Sequence, residues 1–138
     1  PASFTDTLDL DIELGEDTEL TEGKFYLIYT NNLPLGVNVE MSFQDEFYNE
    51  AFAIPNQGEE IRLVASPADD ITGFATGGQE RSFSFSLNEA QLKQLDDLSF
   101  IELNVSLETS DNKAVKIRAQ DSFTLSLGAK IQIQSKVN

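Results

Sequence analysis

Ser99-Phe-Ile-Glu-Leu-Asn-Val-Ser-Leu-Glu-Thr109 decides the fold class. Ile101, Leu103, Val105 and Leu107 occupy every second position, and Glu102, Asn104, Ser106 and Glu108 fill the places between them. Successive side chains of a strand point to opposite faces, so this spacing predicts a strand with one buried and one wet face. A helix would need its apolar residues three and four apart.

The same period recurs on both sides of this stretch. Toward the N-terminus, Phe83, Phe85 and Leu87 alternate with Ser82, Ser84 and Ser86. Ile61, Leu63 and Ala65 form a short strand, and Val37, Val39, Met41 and Phe43 alternate with Asn38, Glu40, Ser42 and Gln44. Residues 24–30 are apolar on both faces, which predicts a central strand. Leu8, Leu10, Ile12 and Leu14 alternate with Asp9, Asp11 and Glu13, a half-buried strand with an acidic outer face. Toward the C-terminus, Ser110-Asp111-Asn112-Lys113 reads as a hairpin turn. Val115, Ile117 and Ala119 return from it, with Lys116 and Arg118 outward to pair with Glu108 or Glu102. Phe123, Leu125 and Leu127 make a strand broken at Gly128, and Ile131 and Ile133 a last one.

Turn chemistry separates these runs. Breaks are expected at Thr21-Glu22-Gly23, at Asn31 to Gly36 around Pro34, at Gln44-Asp45-Glu46 before a short aromatic segment from Phe47 to Ile54, and at Pro55-Asn56-Gln57-Gly58. Ser66 to Gln79 is the longest loop, and loops of this length often carry function. One helix is signalled. Asn88 is a good N-cap with Gln91 three residues on, and Leu92, Leu95 and Leu98 form its apolar stripe. The sum is a single all-β domain over residues 1–138, an antiparallel β-sandwich of immunoglobulin-like or jelly-roll type with one short helix. A closed barrel is the alternative.

Charge is distributed unevenly along this domain. Residues 1–60 hold fourteen Asp and Glu against a single base, Lys24, whereas residues 61–138 are nearly balanced; the whole chain carries −15. Such a surface repels polyanions, so nucleic acid is not an expected partner. Cys and His are both absent, which removes disulfides, thiolate zinc sites and the commonest general base. No stretch supplies the ~20 apolar residues of a membrane helix. Nucleophilic triads lack their His, and no catalytic residues are nominated; the expectation is a protein that is not an enzyme.

Two kinds of candidate site remain. Asp9, Asp11 and Glu13 lie along one flat strand face at ~6.8 Å intervals and cannot converge on one ion. Loops curl oxygens inward more readily, so Glu16, Asp17 and Glu19 are the candidate calcium ligands, with Asp69 and Asp70 or Asp45 and Glu46 as contributors from other loops. The spacing matches no EF-hand, and a plain acidic surface without any cofactor is the competing reading. The second kind is aromatic. Tyr26 and Tyr48, with Tyr29, Phe47 and Phe52 nearby in sequence, are candidates for a sugar- or peptide-binding platform, although aromatics at alternating strand positions also build cores. Tyr26 and Tyr29 face opposite ways. The long loop containing Asp69 and Asp70 is the other candidate binding segment.

Three segments together carry a resemblance. Asn31-Asn32-Leu33-Pro34-Leu35-Gly36-Val37-Asn38-Val39 resembles an NGxPLGV stretch after a strand. Leu87 to Leu98 resembles a helix of the pattern xxxxQLxxL before a long strand. Thr109 to Lys130 resembles a closing hairpin of the pattern TxDGxxVKIxxxxxLxxxLGAK, with Asp111-Asn112 where a Gly is usual. The combination, over roughly residues 5–134, is similar to the C-terminal β-sandwich modules of large Bacteroidetes-type surface proteins. It also resembles, more weakly, the late-embryogenesis-abundant-type sandwich. These motifs mark turns and buried strands, and carry no catalytic residues. The first resemblance implies a module of a larger chain, extracellular or at the cell surface, with a structural, adhesion or assembly role. The alternative is a carbohydrate- or protein-binding module, with calcium as a possible cofactor and a surface protein or glycan as partner.

Overall fold

Among the described residues, the alternating runs that include Val37, Phe83, Ile101 and Phe123 are strands. The computed structural model describes residues 3–10, 18–56, 59–108 and 123–135. Along them run β1 (Ser3–Asp9), β2 (Thr18–Asn31), β3 (Val37–Gln44), β4 (Glu50–Ile54), β5 (Ile61–Leu63), β6 (Glu80–Ser86), α1 (Glu89–Gln94), β7 (Phe100–Leu107) and β8 (Phe123–Ser135). A 3-10 turn over Leu95–Asp97 follows α1. The strands form two separate antiparallel sheets. One has the order β1-β7-β3-β4, with β5 also on β3; the other has the order β6-β2-β8. The fold is therefore an all-β sandwich rather than a closed barrel.

Core residues are those the alternation assigns. Val37, Val39, Met41 and Phe43 from β3 and Ile101, Leu103 and Val105 from β7 face Phe25, Leu27 and Tyr29 from β2, all of them buried. Rings run across the two layers: Phe85 stacks on Phe25 at 5.3 Å within the smaller sheet, Phe25 meets Phe43 of the larger sheet edge-on at 5.7 Å, and Phe43 stacks on Phe52 at 4.5 Å within the larger. Fully burying one such side chain contributes ~1.5–3 kcal/mol, and each aromatic pair about 0.5–1.5 kcal/mol more. The ladder of four rings is thus a main tie between the sheets.

The helix forms as its cap predicts. Asn88 Oδ1 accepts from the Gln91 backbone N–H at 2.8 Å, and Gln91 Oε1 accepts from the Asn88 backbone N–H at 2.9 Å. Leu95 and Leu98 are buried and Leu92 half-buried, so this segment closes one end of the sandwich.

Several boundaries differ from the sequence reading. β1 starts earlier than expected, at Ser3; Leu8 and Leu10 do pack on the core, and Ile12 and Leu14 lie outside the described residues. Residues 24–30 are central as expected, but only one of their faces is buried, because Ile28 on the other is 38% exposed. The expected breaks at Gly23 and Gly128 are not breaks. β2 runs through Gly23 with only a register shift between Leu20 and Glu22, and β8 runs through Gly128 to include Ile131 and Ile133. Gly23 lets the helix pack close, since a Cβ there would lie 2.9 Å from Leu92 Cδ2 and would push that side chain aside. The hairpin over 110–113 and the strand from Val115 to Ala119 fall outside the described residues. Glu108 pairs with Arg62, whose Nε lies 2.6 Å from Glu108 Oε1.

Strand direction fixes what lies at each end. β1 starts, β2 finishes and β8 starts at the end carrying Asn31, Val37 and the 66–79 loop. At the opposite end are Asp9, Thr18, Gln44, α1 and Ser135.

Candidate functional site on the outer face of the larger sheet

The outer positions of β1, β7 and β3 form rows across the larger sheet. In register, Thr5, Asn104 and Glu40 make one row; Thr7, Glu102 and Ser42 the next; Asp9, Phe100 and Gln44 the third. These side chains bond to one another. Thr5 Oγ1 donates to Asn104 Oδ1 at 2.7 Å, and Asn104 Nδ2 approaches Glu102 Oε1 at 3.4 Å. Gln44 Nε2 donates to Ser42 Oγ at 3.1 Å and to Glu102 Oε2 at 3.3 Å. Each oxygen of Glu102 thus meets an amide, which fixes the carboxylate in place. The result is a polar, hydroxyl- and amide-rich face.

An aromatic step bounds this face. Between β3 and β4 the chain turns through Asp45–Asn49, and Asp45 locks the turn. Its Oδ1 accepts from the backbone N–H groups of Phe47 and Asn49, both at 2.9 Å. Its carbonyl accepts from Tyr48 N at 3.0 Å, and its own N–H donates to the Asn49 carbonyl at 3.0 Å. Tyr48 is thereby held at φ 65°, in the left-handed region that a non-glycine residue enters only at a cost. In that conformation its ring stacks on Phe100, with centroids 4.8 Å apart and planes 11° from parallel. Tyr48 remains 64% exposed and Phe47 74%. Two large aromatic side chains, one of them on the positive-φ residue itself, therefore stand out at this edge of the face.

The other nominated residues are dispersed. Tyr26 sits on the outer face of the smaller sheet, between Ser84 on β6 and Gly128 on β8, with Lys24 Nζ 5.4 Å from its ring centroid. Tyr26 and Tyr48 thus lie on opposite sides of the sandwich and share no platform. Tyr29 and Phe52 belong to the core cluster. Asp69 folds its own loop: its Oδ1 accepts from Ile71 N and Thr72 N, each at 2.8 Å. Those backbone donors, Thr72 foremost and then Ile71, hold its carboxyl below the ordinary value of 3.8. Asp70 is exposed beside it.

The 66–79 loop is pinned rather than open. Ala68 bridges Ala75, Ser66 Oγ accepts from Gly77 N at 3.0 Å, and Asn32 Oδ1 accepts from Gly78 N at 2.8 Å. Its docking on Asn32 and Leu33 puts Asp69 and Asp70 at the end of the sandwich away from Glu19 and Asp45. The carboxylates proposed to converge from different loops are therefore split between two ends. Glu19 accepts from Gln134 Nε2 at 2.9 Å. It lines a groove of about 670 Å³ between the start of β2 and α1, together with Leu20, Leu92 and Asp96. Glu16 and Asp17 lie outside the described residues. Among the described residues no three acidic side chains are grouped to hold a metal.

The sequence reading singled out Tyr48 and Phe47 as candidates but not their neighbours on this face. Gln44, Glu102 and Asn104 register in sequence only as the wet positions of two alternating strands. Their juxtaposition needs the pairing of β3 with β7, 58 residues apart at Gln44 and Glu102. Comparison of the chain with protein-family models, with curated proteins and with solved structures gives no match in any of the three.

Proposed function

We propose that this domain is a non-catalytic adhesion module of a bacterial surface or secreted protein, and that it binds glycan on the outer face of the larger sheet. The Tyr48–Phe100 step carries this reading. Sugars present apolar C–H faces that stack on aromatic rings and hydroxyls that pair with amides and carboxylates; this face sets an exposed ring beside such a polar network. Glu102 is engaged by two amides, which hold its carboxylate in a fixed orientation on this face. The resemblance to surface-protein modules supports the setting.

Affinity electrophoresis of the purified domain through gels containing single soluble polysaccharides tests the proposal. Tyrosine fluorescence gives an independent readout, because the chain has three Tyr and no Trp. Retardation by at least one polysaccharide, weakened about tenfold by Tyr48→Ala, is expected from loss of a ring contact worth ~1.4 kcal/mol. Unretarded migration through neutral and acidic polysaccharides alike refutes it.

A further inference from the structure

Two acceptors on this face have no hydrogen-bond partner among the described residues. Gln44 is 6% exposed, and its Oε1 is buried with no hydrogen-bond partner among the described residues; so is Asn38 Oδ1. The Gln44 assignment is fixed chemically. A carboxylate only accepts, so the amide atom facing Glu102 is Nε2, and the orphan is the oxygen. Both residues lie at outer positions of β3, six apart, and so about 20 Å from each other along the strand. Gln44 adjoins Phe100 in register, at the foot of the Tyr48 step.

We infer that the ligand is a neutral oligosaccharide whose hydroxyls donate to Gln44 Oε1 and Asn38 Oδ1, and that acidic glycans are excluded. This inference rests on the glycan-binding reading and specifies its ligand. Orphan acceptors call for a ligand rich in donors, which hydroxyls supply and ionised carboxylates or sulfates do not. The fixed carboxylate of Glu102 and the exposed Glu40 and Asp9 share the face, so an anionic ligand meets like charge. A separation of about 20 Å calls for a chain of sugars rather than one ring. Both acceptors are closed to solvent in the unbound structure, so binding includes side-chain rotamer changes on this face, as commonly accompanies binding.

Titration calorimetry with cellohexaose, xylohexaose and mannohexaose, set against hexagalacturonate, is the test, with Gln44→Met and Asn38→Val as variants. Their thermal melts are recorded in parallel, and Asn38→Val keeps the test open should Gln44→Met not fold. The inference predicts binding of at least one neutral hexaose, no measurable binding of hexagalacturonate, and a loss of about tenfold in either folded variant. Hexagalacturonate bound as well as the neutral sugars, or folded variants of unchanged affinity, overturns the inference and leaves the glycan-binding reading in place. Absence of binding to all four overturns both.

Discussion

Tyr48 offers a sharp test because two truncations remove the same ring and differ by one methyl group. Tyr48→Ala and Tyr48→Gly both lose the stack on Phe100, so that loss cancels between them. What remains is the backbone. At φ 65° an L-residue with a Cβ carries about 1–2 kcal/mol of strain, which glycine does not. Against this, glycine gives the unfolded chain more freedom and so costs about 0.4–1 kcal/mol. The Gly variant is therefore expected to be the more stable of the two by about 0.5–1 kcal/mol, the reverse of the usual order within strands and helices. Urea unfolding followed by circular dichroism resolves such a difference, and the melting temperatures should differ by about 2–4 °C. Both variants should lose glycan binding to the same degree. An Ala variant as stable as the Gly variant would refute the reasoning, since the Asp45-locked turn would then not be imposing a left-handed conformation.

Three other outcomes follow from particular contacts. Phe25→Ala removes the ring shared by Phe85 and Phe43, and should destabilise the domain by about 3–5 kcal/mol in urea unfolding; a loss below about 1 kcal/mol would show that the ring ladder does not tie the sheets. Gly128→Ala should be neutral or stabilising by up to about 1 kcal/mol, because a Cβ there meets nothing within 4 Å, whereas Gly78→Ala should destabilise strongly, because its Cβ would overlap the Asn31 carbonyl; paired thermal melts that rank them the other way contradict this. Asp69 has a folded-state carboxyl below the ordinary value, so its contribution to stability is present above about pH 4 and lost as pH falls through the depressed value. The stability gap between wild type and Asp69→Ala should accordingly narrow as pH falls below about 4, and a gap that stays constant on acidification would remove the backbone hydrogen bonds of Asp69 as its cause.

Local patterns in the sequence were reliable where the structure is itself local. The Asn88–Gln91 capping box forms as read, and the buried apolar residues of β3 and β7 are among those their alternation assigns, although Leu107 is only half-buried and Gln44, read as a wet position, is buried. Gly23 and Gly128 misled because a glycine marks a break only when the backbone turns there. Gly23 instead makes room for Leu92, and Gly128 sits opposite Tyr26 in an unbroken ladder. Asp45 and Asp69 looked like surface charge or cation ligands. Both instead point a carboxylate oxygen at backbone N–H groups two to four residues ahead, a use that a polar stretch such as Asp45-Glu-Phe-Tyr-Asn49 already hints at. The face around Gln44 was the least legible part. It depends on strands distant in sequence, and no period within either strand records which other strand will lie beside it.

The directions of the outer strands have a mechanical consequence. β1 begins at one end of the sandwich, and β8 runs from that end to finish at the other, about 41 Å along at 3.4 Å per residue. Tension applied through Ser3 and Ser135 would run along both strands and load their ladders in shear. Every hydrogen bond between β1 and β7, and between β8 and β2, would then bear the pull together instead of opening one at a time. A module tethered this way would hold its bound surface under drag, the demand placed on any domain that keeps one body attached to another in a flowing medium.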